Sequence, residues 1–310
     1  MNNNGSITFS FDCEGKWGMA DHPKVWDSQL TRKDLIKAYE FILNTLSAQN
    51  LSATFAFVGA FTETREQFLD GSLPKLTSKS HKSWLEHSKE RIISKTEEGW
   101  FMPELLELVK DFSSHEIATH SYTHIPFDTM TRSDAHTELE LIRSWALRKN
   151  IDCRTIVYPR NIVRHENLLK QFGIYGYRDS PKNFSALKFP KIVKSLINEV
   201  WIFQKAEKID SAEPLKVPGG VFINWRYGFR TYIPSKISLL KYKNMIRDAD
   251  LQNRVAHFWI HPHNFITSPE TQDLFAKLCE LASDQRDKSG VLIKNQHGYL
   301  RPIDVSGNNK

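Results

Sequence analysis

Apolar and polar positions alternate along Ile7-Thr-Phe-Ser-Phe11, and this period of two predicts a strand that delivers Asp12, Cys13 and Glu14 to its C-terminal end. Leu35, Ala38, Tyr39, Ile42 and Leu46 then recur at helical spacing behind Thr31, with Asp34 three residues on, the form of a capping box with Asp where Glu or Gln is commoner. That helix runs to about Ala48, and the apolar run 51–58, closed by Gly59, reads as a second, buried strand. Strand, helix, strand with one crossover is the parallel unit of an α/β fold.

The unit repeats. Helices are predicted over 103–110, with Pro103 at its start, from Thr131 to about Leu147, near 165–172, over 189–200 and over 235–249. Ser268 and Pro269 open another that runs to about Ser283. Strands are predicted at 115–118, 155–158, 174–178 and 255–260, with an extended piece at 218–224. Between 61 and 99 the pattern lapses into polar, charged sequence with Pro74 and a helix near 82–95, read as an insertion over one end of the sheet, with Trp84 and Trp100 placed to line a groove. The whole predicts a barrel or an open parallel sheet whose site lies at the strands' C-terminal edge.

Composition adds little to this picture. A chain of 310 residues with 40% apolar and 25% charged positions can bury a large core, and we read it as one domain over 1–310. The formal charge of +6 and a pI of about 9.0 mildly favour anionic partners. The basic clusters Lys188, Lys191, Lys194 and Lys236, Lys241, Lys243 read as solvated helix faces that suit a phosphate equally well, and no nucleic-acid motif accompanies them. Three cysteines without CxxC spacing suit a reducing compartment. The first strand starts too early for a signal peptide, and no stretch reaches the roughly 18 apolar residues of a spanning helix, so a cytoplasmic protein is expected, with peripheral membrane contact through basic helices left open.

Four strand ends carry chemistry: Asp12-Cys-Glu14, His120 with His124, Tyr158-Pro-Arg-Asn161, and His261-Pro-His263. On a loop that turns into a helix, the i, i+4 spacing of His120 and His124 stacks both imidazoles on one face, where they can grip one metal ion. Two histidines and one carboxylate leave coordination positions open for water and substrate, as hydrolytic metal sites require. A second carboxylate beside them takes the water's proton, and a further histidine protonates the leaving group.

These residues together resemble the polysaccharide deacetylase family, carbohydrate esterases with a NodB-like homology domain, from about Ile7 to Ser283. Ser10-Phe-Asp-Cys-Glu-Gly15 resembles its divergent Asp-x-Glu branch, His120-Ser-Tyr-Thr-His124 its histidine motif, Tyr158-Pro-Arg-Asn161 its arginine motif with altered order, and Trp259-Ile-His-Pro-His263 its final motif. The resemblance implies a distorted (β/α) barrel of about seven parallel strands. It implies Asp12 as general base, His120, His124 and Glu14 as metal ligands with Cys13 and Asp12 as rivals for the third place, Arg160 holding the base ionised, and His261 as acid with His263 as rival. Trp17, Tyr158, Asn161, Trp225 and His263 are expected to meet substrate, and zinc is the expected metal. The implied activity is removal of an N-acetyl or O-acyl group from a sugar, nucleotide-linked or lipid-linked and made in the cytoplasm. The alternatives are hydrolysis of cyclic amides or other carbon–nitrogen bonds, or a silent sugar-binding protein of the same fold.

Overall fold

The alternation in the first strand extends further than its apolar residues suggest. In β1 (Ser6–Cys13) every second side chain, Ile7, Phe9, Phe11 and Cys13, enters the main core, while the intervening Ser6, Thr8, Ser10 and Asp12 face the other way and are just as buried. A strand polar on one face and buried on both lines a closed interior. The computed structural model describes residues 4–21, 28–69, 79–86, 98–182 and 191–301, and within them that interior is the inside of a curled sheet.

The strands are β1, β2 (Thr54–Phe57), β3 (Glu116–Thr119), β4 (Thr155–Val157), β5 (Gly176–Arg178), β6 (Leu215–Val217), β7 (Val221–Phe222), β8 (Val255–Ile260) and β9 (Leu292–Ile293). The main path runs β6-β5-β4-β3-β2-β1-β8-β7, with every pairing parallel and β9 added beside the start of β1. The two margins of this sheet are joined by only Pro218, Gly219 and Gly220. Three linking residues reach no further than about 15 Å, so the sheet must curl almost onto itself. β6 and β7 thus act as one broken stave, and the distorted barrel has the expected seven staves although eight strands lie on its path. A Cβ on Gly219 would meet the Asp179 carbonyl oxygen at 2.5 Å, and one on Gly220, where φ is +64°, the His257 carbonyl oxygen at 2.2 Å, so only glycine lets the stave cross.

Helices α1 (Arg32–Ala48), α4 (Pro103–Lys110), α5 (Arg132–Arg148), α7 (Ser235–Gln252) and α8 (Pro269–Ser289) contribute buried side chains to the outer core. Thr31 caps α1 on the Asp34 N–H, and Thr131 with Asp134 forms a full capping box on α5; Ser268 makes no side-chain cap, and Pro269 alone marks the start of α8. Of the predicted insertion, the described parts are a short turn at 59–62, α2 (Arg65–Leu69) and α3 (Lys79–Glu86); residues 70–78 and 87–97 lie outside the described residues, as does Lys188. Helix α6 (Lys191–Val200) replaces the predicted 189–200, and 166–172 winds as a 3₁₀ rather than an α-helix. β6 and β9 were not anticipated, being three and two residues long, too short to show a period.

The barrel's far end is closed by polar contacts. The Tyr299 hydroxyl lies 2.7 Å from both Ser6 Oγ and Thr8 Oγ1, and Glu116 accepts from Thr54, Thr155 and the His297 N–H. No described helix is long and apolar enough to cross a membrane.

Candidate active site

The loop after β3 holds the two motif histidines, and it is not helical. Ser121 and His124 have φ of +66° and +62°, and the turn is closed by the His124 N–H on Ser121 Oγ at 2.8 Å. Buried Glu138 of α5 accepts the N–H groups of Tyr122 and Thr123, both at 2.7 Å, and the Thr123 hydroxyl. The imidazoles converge because a side chain from another element holds the loop, which corrects the expected helical stacking.

His120 Nδ1 lies 2.7 Å from the Val157 carbonyl oxygen and must donate to it, so a neutral His120 turns the Nε2 lone pair inward. That lone pair faces His124 Nε2 at 3.2 Å and Glu14 Oε2 at 3.4 Å, and His124 Nε2 is 2.8 Å from the same oxygen. At most one proton, on His124 Nε2, lies among three electron-rich atoms in a buried site. Ligands about 2.1 Å from a tetrahedral zinc lie roughly 3.4 Å apart, so the trio fits the face of such a site. Burial lowers the His124 pKa and keeps the ring neutral as a ligand must be, and although burial pushes Glu14 up, the surrounding histidines, His261 and His124 foremost, hold its carboxyl well below the usual range. Glu14, His261 and His263 form a second trio with donor atoms within 4.8 Å.

Cys13 is not part of this. It points to the opposite face, against the helices, its thiol directed at the Phe11 carbonyl and pushed far up by burial. Alternation in β1 leaves Asp12 and Glu14 on the inner side.

Asp12 meets an arginine, but not the expected one. Arg178, at the end of β5, crosses the interior and grips both carboxylate oxygens, Nη1 to Oδ1 at 2.7 Å and Nη2 to Oδ2 at 2.6 Å. Burial raises the Asp12 pKa, yet the Arg178 guanidinium, with His120, outweighs it and leaves the carboxyl below its ordinary value. Arg178 fits because Ala56 and Ala118, in register beside Asp12, are small and with Val157 form a separate inner cluster. The guanidinium also donates to Asn161 Oδ1 at 2.7 Å and to Ser10 Oγ at 3.0 Å, and lies over the Trp259 ring at 4.5 Å. Behind it the polarity is fixed: His257 Nδ1 donates to the Pro218 carbonyl at 2.6 Å, so Nε2 accepts from Ser10 Oγ at 2.8 Å, whose lone pairs remain for Arg178. Arg160 is 42% exposed and reaches Asp21 at 2.6 Å instead, with its guanidinium over the Trp84 ring. The signal for Arg178 was present in the sequence as a charged residue at the end of a predicted strand.

His261 stands on the other side of Glu14, its Nε2 3.5 Å from Oε1 and its Nδ1 3.1 Å from Asn264 Oδ1. His263 is buried and stacked 4.9 Å from His261, its pKa lowered to about 3 by burial and then by His261, so it is a neutral neighbour rather than a proton donor. Trp17 and Tyr158 are fully buried: Trp17 Nε1 donates to the Trp100 carbonyl at 2.7 Å, and Tyr158 packs between Phe127 and Tyr177. Neither can touch a substrate, and Trp100 likewise belongs to the core. Asn161 meets Arg178 instead. Trp225, stacked on Tyr227 at 4.7 Å, stands at the rim beyond β7, and Trp84 packs 6.3 Å from the His124 ring.

Residues 30–169 match the family model described as polysaccharide deacetylase. No curated protein matches the sequence. Among solved structures the fold is similar to a putative polysaccharide deacetylase from Mycobacterium smegmatis, with a TM-score of 0.60 at 12% identity over 96% of this chain and 89% of that one. A family 4 carbohydrate esterase from Streptomyces lividans in complex with acetate aligns at a TM-score of 0.46 and 11% identity over 99% and 97% of the two chains. BA3943, a CE4 family pseudoenzyme from Bacillus anthracis, aligns at 0.45 and 13% over 95% and 65%. Residues 30–169 are thus similar to the polysaccharide deacetylase family, and the barrel is similar in fold to that of a putative polysaccharide deacetylase.

Proposed function

We propose that the protein is a metal-dependent hydrolase that removes an acetyl group from an amino sugar. The observation that carries this reading is the convergence of Glu14, His120 and His124 beside an arginine-held carboxylate and a further histidine, His261. A divalent cation, zinc by the nitrogen and oxygen donors available, would supply Lewis-acid polarisation of the acyl carbonyl and acidify the attacking water. Asp12, kept ionised by Arg178, accepts the water's proton as the water adds to the carbonyl carbon. His261 delivers a proton to the amine nitrogen as the carbon–nitrogen bond breaks, leaving acetate and a free amino sugar. Asn161, Ser10 and His257 act one step back, by aiming Arg178.

The surplus of basic residues supports a sugar joined to phosphate, through a nucleotide or a lipid, over a finished neutral polymer. Acetate release from N-acetylated nucleotide-sugars, lipid-phosphate-linked sugars and free oligosaccharides tests both statements. Release from either phosphate-linked class, lost in Asp12→Asn, is the expected result. Release from free oligosaccharides only would overturn the substrate, and no release from any class by metal-loaded protein would overturn the activity.

A further inference from the structure

Of the thirteen most exposed large apolar side chains among the described residues, nine fall between 196 and 240. Contacts between the segments that carry them bring six of these nine together. Helix α6 and the irregular segment after it lie along α7, tied by Lys241 Nζ to the Asn198 carbonyl and by Asn244 Nδ2 to the Ile202 carbonyl. The turn at 228–232 joins the same face through Arg230, whose Nε is 3.0 Å from Glu199 Oε1 and whose guanidinium lies over the Phe229 ring. Leu196, Val200, Trp201, Phe203, Phe229 and Tyr232 are thereby exposed together, Phe203 at 66% and Tyr232 at 87%. Trp201 and Phe203 pack edge to face, which presents a wide aromatic surface.

Charge follows the same segment. Residues 191–247 hold 11 Lys and Arg against 4 Asp and Glu, a net +7, whereas the whole chain carries only +6. The basic excess of the protein is therefore concentrated in the stretch that exposes its aromatic residues. Tryptophan, tyrosine and phenylalanine flanked by lysines suit the boundary between acyl chains and anionic headgroups, whereas a face buried in a stable protein contact is depleted of lysine.

We propose that this face rests on an anionic lipid bilayer. Its position gives the contact a purpose. Arg230 also lies over the Phe222 ring, and Phe222 stands 5.8 Å from the His261 ring, so the patch is one side-chain layer from the mouth of the barrel. A bilayer on it would hold that mouth at headgroup level, where a sugar carried on a lipid phosphate presents itself. This last step rests on the deacetylase reading, but the docking does not.

Co-sedimentation separates the two. The intact protein is mixed with vesicles of phosphatidylcholine alone, or with about a third phosphatidylglycerol. It should bind the anionic vesicles at least tenfold better, and lose that advantage in high salt. The pair Phe203→Ser with Tyr232→Ser, both too exposed to disturb the core, should weaken binding at least tenfold and leave acetate release from a water-soluble substrate unchanged. Leu147→Ser, exposed on α5, serves as the control and should bind like the unaltered chain. Absence of binding to anionic vesicles, or equal binding by the double variant, would overturn the proposal. So would light scattering that showed a dimer turned into a monomer by the double variant, since the face would then be an interface between two copies.

Discussion

Replacing Arg178 by Ala leaves Asp12 buried without its counter-charge, so its pKa must rise. The acidic limb of kcat/KM should move to higher pH, and activity at neutral pH should fall by about 10²–10⁴-fold. Arg160→Ala, which removes an exposed partner of Asp21, should change activity by less than about tenfold, and pH profiles of the two variants make the comparison. A larger loss in Arg160→Ala would return the role to the residue the motif suggested. Asp12, Glu14, His120, His124 and His261 were legible because each stands at the end of an apolar run and is named by its neighbours in sequence. Arg178 was not, because its partner lies 166 residues away across the barrel and nothing local to Tyr177-Arg178-Asp179 encodes that reach. Trp17 and Tyr158 were misassigned for the converse reason: an aromatic beside a motif is as easily core as rim, and only packing decides.

The loop between β3 and α5 is shaped by Glu138, which α5 holds against three donors. Glu138→Ala should leave two buried N–H groups unpaired, cost about 1–3 kcal/mol in thermal or denaturant unfolding, and weaken metal affinity by roughly tenfold. Glu138→Gln, which keeps one acceptor, should fall between. The β6–β7 crossing gives a second element test: Gly220→Ala places a methyl against the His257 carbonyl at positive φ and should destabilise by about 1–3 kcal/mol, read by the same unfolding curves. Acid sensitivity follows from the same wall of the barrel. Burial and then Arg178 lower the His257 pKa from 6.5 to about 3, and burial lowers that of His115 to about 4. Unfolded, both bind protons near pH 6.5, so stability is complete above that value and declines as pH falls toward 3–4, by up to about 1.4 kcal/mol per pH unit for each group. In His257→Gln the decline should be shallower by one proton, measured as the slope of unfolding free energy against pH. The helices and longer strands were readable from periodicity. β6 and β9 were not, since two or three residues show no period and their existence depends on the strand already waiting beside them, while β7 lies within the extended piece expected at 218–224.

At the scale of the whole molecule the barrel sorts its side chains by chemistry. Apolar residues fill the layer between sheet and helices, and the interior is polar from Tyr299 at the closed end to Glu14 at the open one. The sheet gathers the candidate donor set at one end and is closed by the contacts of Tyr299 and Glu116 at the other. The basic, aromatic face beside that mouth would then turn it toward a surface. All of this depends on the three donor atoms being gathered for a cation. Elemental analysis of the purified protein, after zinc loading and removal of loose metal, tests that claim most directly. About one divalent ion per chain, lost in both Glu14→Gln and His124→Ala while circular dichroism stays unchanged, is the predicted result. A chain that retains no metal, or variants that retain as much as the unaltered protein, would contradict it.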